Sequence, residues 1–199
     1  MANEYASLAQ LKTWLQLDGA DHDDDLNRVL TSASRAIDRY CGRIFYDSGS
    51  AAAKTFLADD PYELDVPDFH TVTGLVIATD TDSDGTFETT WTTADYQVEP
   101  LNPDAGWPWW RIVAIDDETF PLSARRATTR VTARWGWAAE PEEVEQTTLA
   151  VAAEMFKRKD APFGIVGTDE MGRAVRVAAH YRPLLAAVDD FRRFDIRAV

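Results

Sequence analysis

The run Asp80-Thr81-Asp82-Ser83-Asp84-Gly85 carries the sharpest chemical pattern in this chain. Carboxylates at alternate positions with glycine at the sixth match the first half of a calcium loop, where oxygen ligands converge and the glycine makes the turn. The pattern then departs from that chemistry. The twelfth position, which should supply a bidentate glutamate, is Trp91. The flanks, Val76-Ile77 before and Phe87 after, read as strands where a calcium hand needs helices. The preferred reading is a polar hairpin turn in which Asp84-Gly85 supplies positive φ. Asp80, Asp82 and Asp84 are kept as the one, weak metal candidate.

Other reactive side chains form no constellation. His22, His70 and His180 lack the spacing of a zinc site, which needs several such groups to converge. Cys41 is the single cysteine, so one chain offers neither a disulfide framework nor a thiolate metal site. It falls beside the apolar face of a helical pattern with no adjacent base, which suits a small buried hydrophobe better than a nucleophile. There is no Walker loop, nucleophile elbow or dinucleotide fingerprint; Gly164-Ile165-Val166-Gly167 is too short and lacks the lysine of a phosphate loop. No catalytic residue and no cofactor is expected. Trp107-Pro108-Trp109-Trp110 could stack on bases or sugars, but tryptophans more often anchor a core or an interface. Arg125, Arg126, Arg130 and Arg134 are read as partners for acidic neighbours in an assembly.

Composition narrows the class. The 199 residues carry a formal charge of −14, and 45% are hydrophobic, enough for a real core in one domain. Residues 1–104 hold 6 basic and 20 acidic side chains, residues 105–199 hold 14 of each, and from Lys157 onward there are 9 basic against 6 acidic. An acidic front and a basic tail suit head-to-tail contact between copies or with another protein, and argue against a chain that grips nucleic acid. No run approaches the roughly 18 apolar residues that span a bilayer, and the N-terminus has no signal-peptide core. A soluble protein made in a cytoplasm is expected.

The elements that must position these residues begin with a capping box, Ser7 to Gln10, opening a short helix with Leu8, Leu11, Trp14 and Leu15 and closed by Asp18-Gly19. Asp21 to Phe45 reads as one long helix: Leu26, Val29, Leu30, Ala33, Ile37 and Tyr40 share a face of 3.6-residue period. Acids crowd its start, Arg35 and Arg39 its end, and Gly42 stops it. Strands are predicted near Lys54–Leu57, Val72–Thr79, Phe87–Thr89, Tyr96–Glu99, Trp110–Ile115 and Arg130–Trp135. In the last, Val131, Ala133 and Trp135 alternate with Arg130, Thr132 and Arg134, one face packing and one meeting solvent or a neighbour. Helix returns at Pro141, with Val144, Thr148, Val151, Ala152 and Met155 on one face; Pro162 to Gly172 is a loop, and a last helix runs from Arg182 to about Phe194. The fold class is α+β: about four helices forming a bundle, with a large antiparallel β-rich insertion between helices 2 and 3. Residues 1–199 form a single domain, with helical parts 5–46 and 141–195 and the insert at 47–138.

Several of these features together resemble a known family. They are Leu8-x-x-Leu11-x-x-x-Leu15, the Asp cluster, the exit Ile37-Asp38-x-Tyr40-Cys41-Gly42-Arg43-x-Phe45, then Ala161-Pro162-Phe163-Gly164-x-x-Gly167, Gly172 and the closing Leu184-Leu185 to Phe191-Arg192-Arg193. The chain resembles the tailed-phage head-tail connector (adaptor) proteins of siphovirus necks over roughly residues 5–46 and 141–195. The resemblance implies a structural, non-enzymatic protein of the virion neck, assembled in the host cytoplasm without a membrane. It implies a homo-oligomeric ring of about twelve copies below the portal protein, offering its lower face to a stopper or tail-completion protein. DNA would pass through the channel without specific binding, and part of the acidic excess of residues 1–104 would line or approach that channel. The portal contact would fall on Leu184, Leu185, Phe191, Arg192, Arg193, Phe194 and Arg197. Rival readings are a calcium- or carbohydrate-binding β module on a helical scaffold and, lower, a hydrolase with dispersed acids.

Overall fold

The computed structural model describes residues 3–123, 125–159, 165–168, 174–176 and 182–193. The chain is α+β and separates into two compact units, one of residues 46–139 and one of residues 1–45 with 140–199.

The helical unit contains α1 (Leu8–Leu15), α2 (Asp23–Cys41), α3 (Glu142–Lys159) and a 3-10 segment, Arg182–Phe191. The capping box forms as the sequence predicts: the Ser7 hydroxyl accepts from the Gln10 amide, and the Gln10 side chain returns to the Ser7 amide at 2.7 Å. Helix α1 ends earlier than Asp18-Gly19, because Gln16 turns left-handed at φ 56°. Helix α2 ends at Gly42, φ 65°, whose amide donates to the Asp38 carbonyl; glycine enters this conformation without the clash a Cβ brings. Its buried face comprises Leu26, Leu30, Ala33, Ser34, Ala36, Ile37 and Cys41. Val29 and Tyr40, placed on that face by the period, are only half-buried. Val144, Thr148, Leu149, Val151 and Ala152 bury the matching face of α3.

Two corrections fall in the last forty residues. Strand β8 (Ile165–Thr168) falls within the expected loop, Pro162 to Gly172, and pairs antiparallel with β9 (Ala174–Arg176) just beyond it. The expected last helix is instead 3-10, with a kink at Val188 (φ −114°). Its Leu185, Val188 and Phe191 are still buried. Gly164, Gly172, His180, Phe194 and Arg197 lie outside the described residues.

The β unit holds seven strands: β1 (Ala52–Phe56), β2 (Glu63–Phe69), β3 (Val76–Thr79), β4 (Thr89–Thr90), β5 (Tyr96–Glu99), β6 (Trp109–Ala114) and β7 (Thr129–Ala133). They form two antiparallel sheets, ordered β1-β7-β3-β4 and β2-β6-β5. One apolar cluster draws on both, including Leu64, Val66, Phe69, Ile77, Trp91, Ile112, Phe120, Val131 and Trp135. The alternation expected along β7 is present: Val131, Ala133 and Trp135 are buried, Arg130 and Arg134 exposed. The strand predicted at Val72 starts only at Val76, because Val72 to Leu75 makes a turn with Gly74 at φ 79°. Phe87 stays in the loop ahead of β4. Strand β2 was missed. Its buried Leu64 and Val66 alternate with exposed Glu63 and Asp65, and Pro67 interrupts the run. The structure accommodates Pro67 at a register shift in the edge strand of the three-stranded sheet, where its missing N–H costs no ladder bond.

Among the described residues, no helix is long and apolar enough to cross a membrane.

Candidate functional site

Asp80 to Glu88 connects β3 to β4, whose residues Ala78 and Thr79 face Thr90 and Thr89. Asp80 is fully buried, and its carboxylate accepts from the amides of Asp84 at 3.2 Å and Gly85 at 2.8 Å. Asp82 also accepts from the Asp84 amide, and Asp84 from the Thr86 amide at 2.6 Å. The amide and hydroxyl of Thr86, with Arg126 nearby, hold the Asp84 carboxyl below its usual range. Gly85 sits at φ 102°, and a Cβ there would meet the Arg126 guanidinium at 2.5 Å. That guanidinium donates to the Ser83 carbonyl at 2.9 Å.

The loop also brings in Glu88, which the sequence reading did not select. Carboxylate oxygens of Asp80, Asp82, Asp84 and Glu88 lie within 4.8 Å of one another and could hold a cation. Glu88 occupies the ninth position of a calcium loop, a place often filled through water, so the spacing alone would have found it. Two features oppose a tight cation: the carboxylates of Asp80, Asp82 and Asp84 already accept from backbone amides, and Arg126 brings a fixed positive charge.

The tryptophans pack against other rings. Trp109 stacks on Phe69 at 5.9 Å, Trp107 tilts on Trp137 at 5.2 Å, and Trp110 lies under the Arg111 guanidinium. Of the four arginines singled out, Arg134 pairs with Asp47 of the same chain, Arg130 covers the Phe87 ring at 4.7 Å, and Arg126 serves the acidic loop. Arg125 is exposed. His70 approaches Asp47 at 3.8 Å and the Gly136 carbonyl at 3.3 Å, while His22 meets the edge of Phe156.

The end of α2 is where the sequence motif Ile37 to Phe45 acquires a geometry. The Tyr5 hydroxyl donates to Asp38 and accepts from the Phe45 amide at 2.9 Å, and Arg35 pairs with Asp38 at 3.1 Å. Burial raises the Asp38 carboxyl despite the pull of Tyr5 and Arg35. Burial also raises the Tyr5 hydroxyl, reinforced by Asp38. Tyr5 gave no signal in the sequence, because its partner lies 33 positions away. On the other side of the helix end, Tyr40 donates to Asp189 and the Arg193 amide donates to the Cys41 carbonyl at 2.8 Å. Phe191 meets Phe45 edge-on at 5.7 Å. Cys41 is buried here, its thiol pushed up to about 12, chiefly by desolvation. Of the residues assigned to a portal contact, Leu185 and Phe191 are therefore buried in the chain's own helical unit, Leu184 and Arg192 are exposed, and Arg193 is half-buried.

Tyr5 and the end of α2 lie within a stretch that matches a family model. Residues 5–85 match the family model described as "Phage gp6-like head-tail connector protein". The match spans α1, α2 and the β unit as far as Gly85, meeting the resemblance read in residues 5–46 and extending it. The sequence matches no curated protein. Among solved structures, a chain from "Neck of empty GTA particle computed with C6 symmetry" is similar, with TM-score 0.56, 19% identity, and coverage of 96% of this chain and 91% of that one. A chain from "Neck of native GTA particle computed with C12 symmetry" gives TM-score 0.55 at 17% identity, covering 100% and 98%. A chain from "Virion of native gene transfer agent (GTA) particle" gives 0.51 at 19%, covering 87% and 92%. At these identities the likeness is one of fold, and it includes the β unit.

Proposed function

We propose that the chain is a structural head-to-tail adaptor of a tailed bacteriophage or phage-like particle. It forms a ring below the portal, through which DNA passes and to which the stopper or tail attaches. The observation that carries this reading is the family match over residues 5–85, joined to a fold likeness with neck chains along nearly the whole length. The subunit plan proposed is a helical bundle with the β unit inserted between α2 and α3. The symmetries stated for the similar necks, sixfold and twelvefold, support a closed ring, and about twelve copies is the number proposed. The part is architectural, with no reaction assigned to it.

Within this reading, Leu185 and Phe191 hold the C-terminal segment to α2 and α3, while Leu184, Arg192 and Arg193, with Phe194 and Arg197 beyond, offer side chains to the portal. Electron microscopy of the protein mixed with its portal tests the proposal: a coaxial ring is expected, and portal particles without one would sink it. Deleting residues 184–199 is a poor companion test, because it also strips Leu185, Val188 and Phe191 from the core. Leu184→Ser with Arg192→Glu is cleaner. The rival reading of a cation-binding β module rests on the four converged carboxylates. Calorimetric titration with calcium separates the two, since the adaptor requires no micromolar binding heat.

A further inference from the structure

We propose that copies of this chain are joined by strand addition: the β8–β9 hairpin of one copy lays β8 along the open edge of β1 in the next. The four-stranded sheet is thereby extended to the order β9-β8-β1-β7-β3-β4. This contact rests on the ring reading above and would close the ring.

Four strands stand at sheet edges in the β unit, β1 and β4 in one sheet and β2 and β5 in the other. Three of them are blunted by shortness, proline or charge, the usual protections of an edge. Strand β4 is two residues long. Strand β2 holds Pro67 at a register shift and carries Glu63 and Asp65. Strand β5 ends in Glu99 and runs into Pro100. Strand β1 has none of these interruptions: Ala52 to Phe56 pair with β7 in unbroken register, and residues 51–55 are all exposed. Its one charge does not guard the edge, because the Lys54 ammonium lies over the ring of Trp135, a member of the apolar cluster, at 4.6 Å. The Phe56 carbonyl accepts from the Thr128 amide at 3.2 Å. Antiparallel alternation therefore turns the backbone groups of Ala52, Lys54 and Phe56 toward β7 and those of Ala53 and Thr55 outward. The outward groups sit beside small, uncharged side chains that leave room for another strand.

The complement lies in the same sequence. Strands β8 and β9 form a sheet of two, and among the described residues no third strand joins it. A sheet of two strands is marginal in water by itself, and its outer edges carry the same unpaired groups as β1. Strand β8, Ile165-Val166-Gly167-Thr168, is uncharged, whereas β9 ends in Arg176 and would set a second cation on the strand next to Lys54. Strand β8 is therefore the one that meets β1. A row of alternating N–H and C=O groups is matched by another extended strand, so the backbone itself fixes the class of occupant. Two β1 edges meeting would make an isologous contact that stops at two chains; a hairpin on an edge is heterologous, the type that closes rings.

The test uses the full chain, alone at rising concentration and with its portal. Thr55→Cys is combined in turn with Ile165→Cys, Val166→Cys and Thr168→Cys. At least one pairing should give disulfide-linked ladders of three or more chains on a non-reducing gel, which the single cysteine variants lack. The native Cys41 is buried and takes no part. Thr55→Pro removes an outward amide without touching the ladder to β7. It should weaken association about tenfold, read by sedimentation velocity or as ring occupancy on the portal, whereas Thr55→Val should leave association unchanged. Circular dichroism checks that every variant is folded. Cross-links confined within one chain, a dimer from Thr55→Cys alone, no cross-link in any pairing, or equal association of the Thr55→Pro and Thr55→Val variants overturns the contact. A coaxial ring on the portal without cross-links sinks only this contact, whereas no ring from the unaltered chain sinks the adaptor reading itself.

Discussion

The two units of this chain use carboxylates in opposite ways. In the helical unit, Asp38 is drawn into the interior and tied to side chains, the Tyr5 hydroxyl and the Arg35 guanidinium. In the β unit, Asp47 and Asp65 also pair with arginines, Arg134 and Arg111, but the carboxylates of the connections are tied to backbone. Asp80 takes the amides of Asp84 and Gly85, Asp60 those of Tyr62 and Glu63, Asp84 that of Thr86, and Asp95 that of Thr92. The reason is the state of the main chain. A helix satisfies its own amides, so a carboxylate on it can serve only side chains or a helix end. Connections between short strands leave amides without ladder partners, and aspartate is the side chain that reaches them locally. The same residue type closes a core in one unit and shapes the loops of the other.

The strongest way to break this comparison is to empty each core. Phe45→Ala and Trp135→Ala should each cost about 3–5 kcal/mol, the range for large aromatic truncations. Helical ellipticity should register the first change, and tryptophan fluorescence the second, since six of the seven tryptophans lie in residues 46–139. If both probes shift together in both variants, the units do not behave as separate cores. Next in size, Asp80→Ala removes a buried carboxylate that accepts from the Asp84 and Gly85 amides and should cost about 1.5–3 kcal/mol in chemical unfolding, the range for hydrogen bonds to a charged group. Asp80→Asn, which keeps an acceptor, should cost less, and equal losses would mean the amides are not what Asp80 serves. Gly42→Ala should cost about 1–2 kcal/mol for a left-handed alanine, with its Cβ 3.2 Å from the Arg193 carbonyl. A neutral result in thermal melting would show that the α2 exit tolerates relaxation.

The smallest effect sharpens the contrast through pH. Asp38 has its folded-state carboxyl raised by burial. Its contribution is therefore fully present below the ordinary carboxylate range and lost as pH rises through the raised value. Asp47 runs the other way. Burial acts to raise it, but hydrogen bonds from Arg134 and Gly49 and the charge of His70 win, and its contribution is lost as pH falls through the lowered value. Asp38→Asn should gain relative to the unaltered chain as pH rises from about 4 to about 7, measured as urea midpoints. A constant difference across that range would refute the assignment.

The helical elements were legible because their signals are local. A capping box, a 3.6-residue period and a stop glycine placed α1 and α2 close to their observed bounds, and alternation gave β5, β6 and β7 nearly to the residue. Less of the β unit could be read where local rules and long-range pairing disagreed. Strand β2 contains Pro67 and survives because it is an edge strand with a register shift, and Val72 to Leu75 looked like strand but turns. The 3-10 form of Arg182–Phe191 was equally hidden, since its apolar spacing fits a helix of either kind. At the candidate sites, spacing located Asp80, Asp82 and Asp84 and, read to its ninth position, would have located Glu88. Arg126 could not be found that way, because it arrives from a connection more than forty residues distant.

By itself the sequence determined α1, α2 and α3, the strand-rich middle, the uneven charge and the motif at the end of α2, all set by neighbours within a few turns of chain. Tertiary structure alone decided that Tyr5 and the C-terminal segment clasp that helix end, that Leu185 and Phe191 are inside while Leu184 and Arg192 are out, and that the connections 57–62, 80–88 and 115–128 leave the four-stranded sheet or enter it at one end. These are consequences of strand order and of packing between residues tens to more than a hundred positions apart, which no local periodicity encodes.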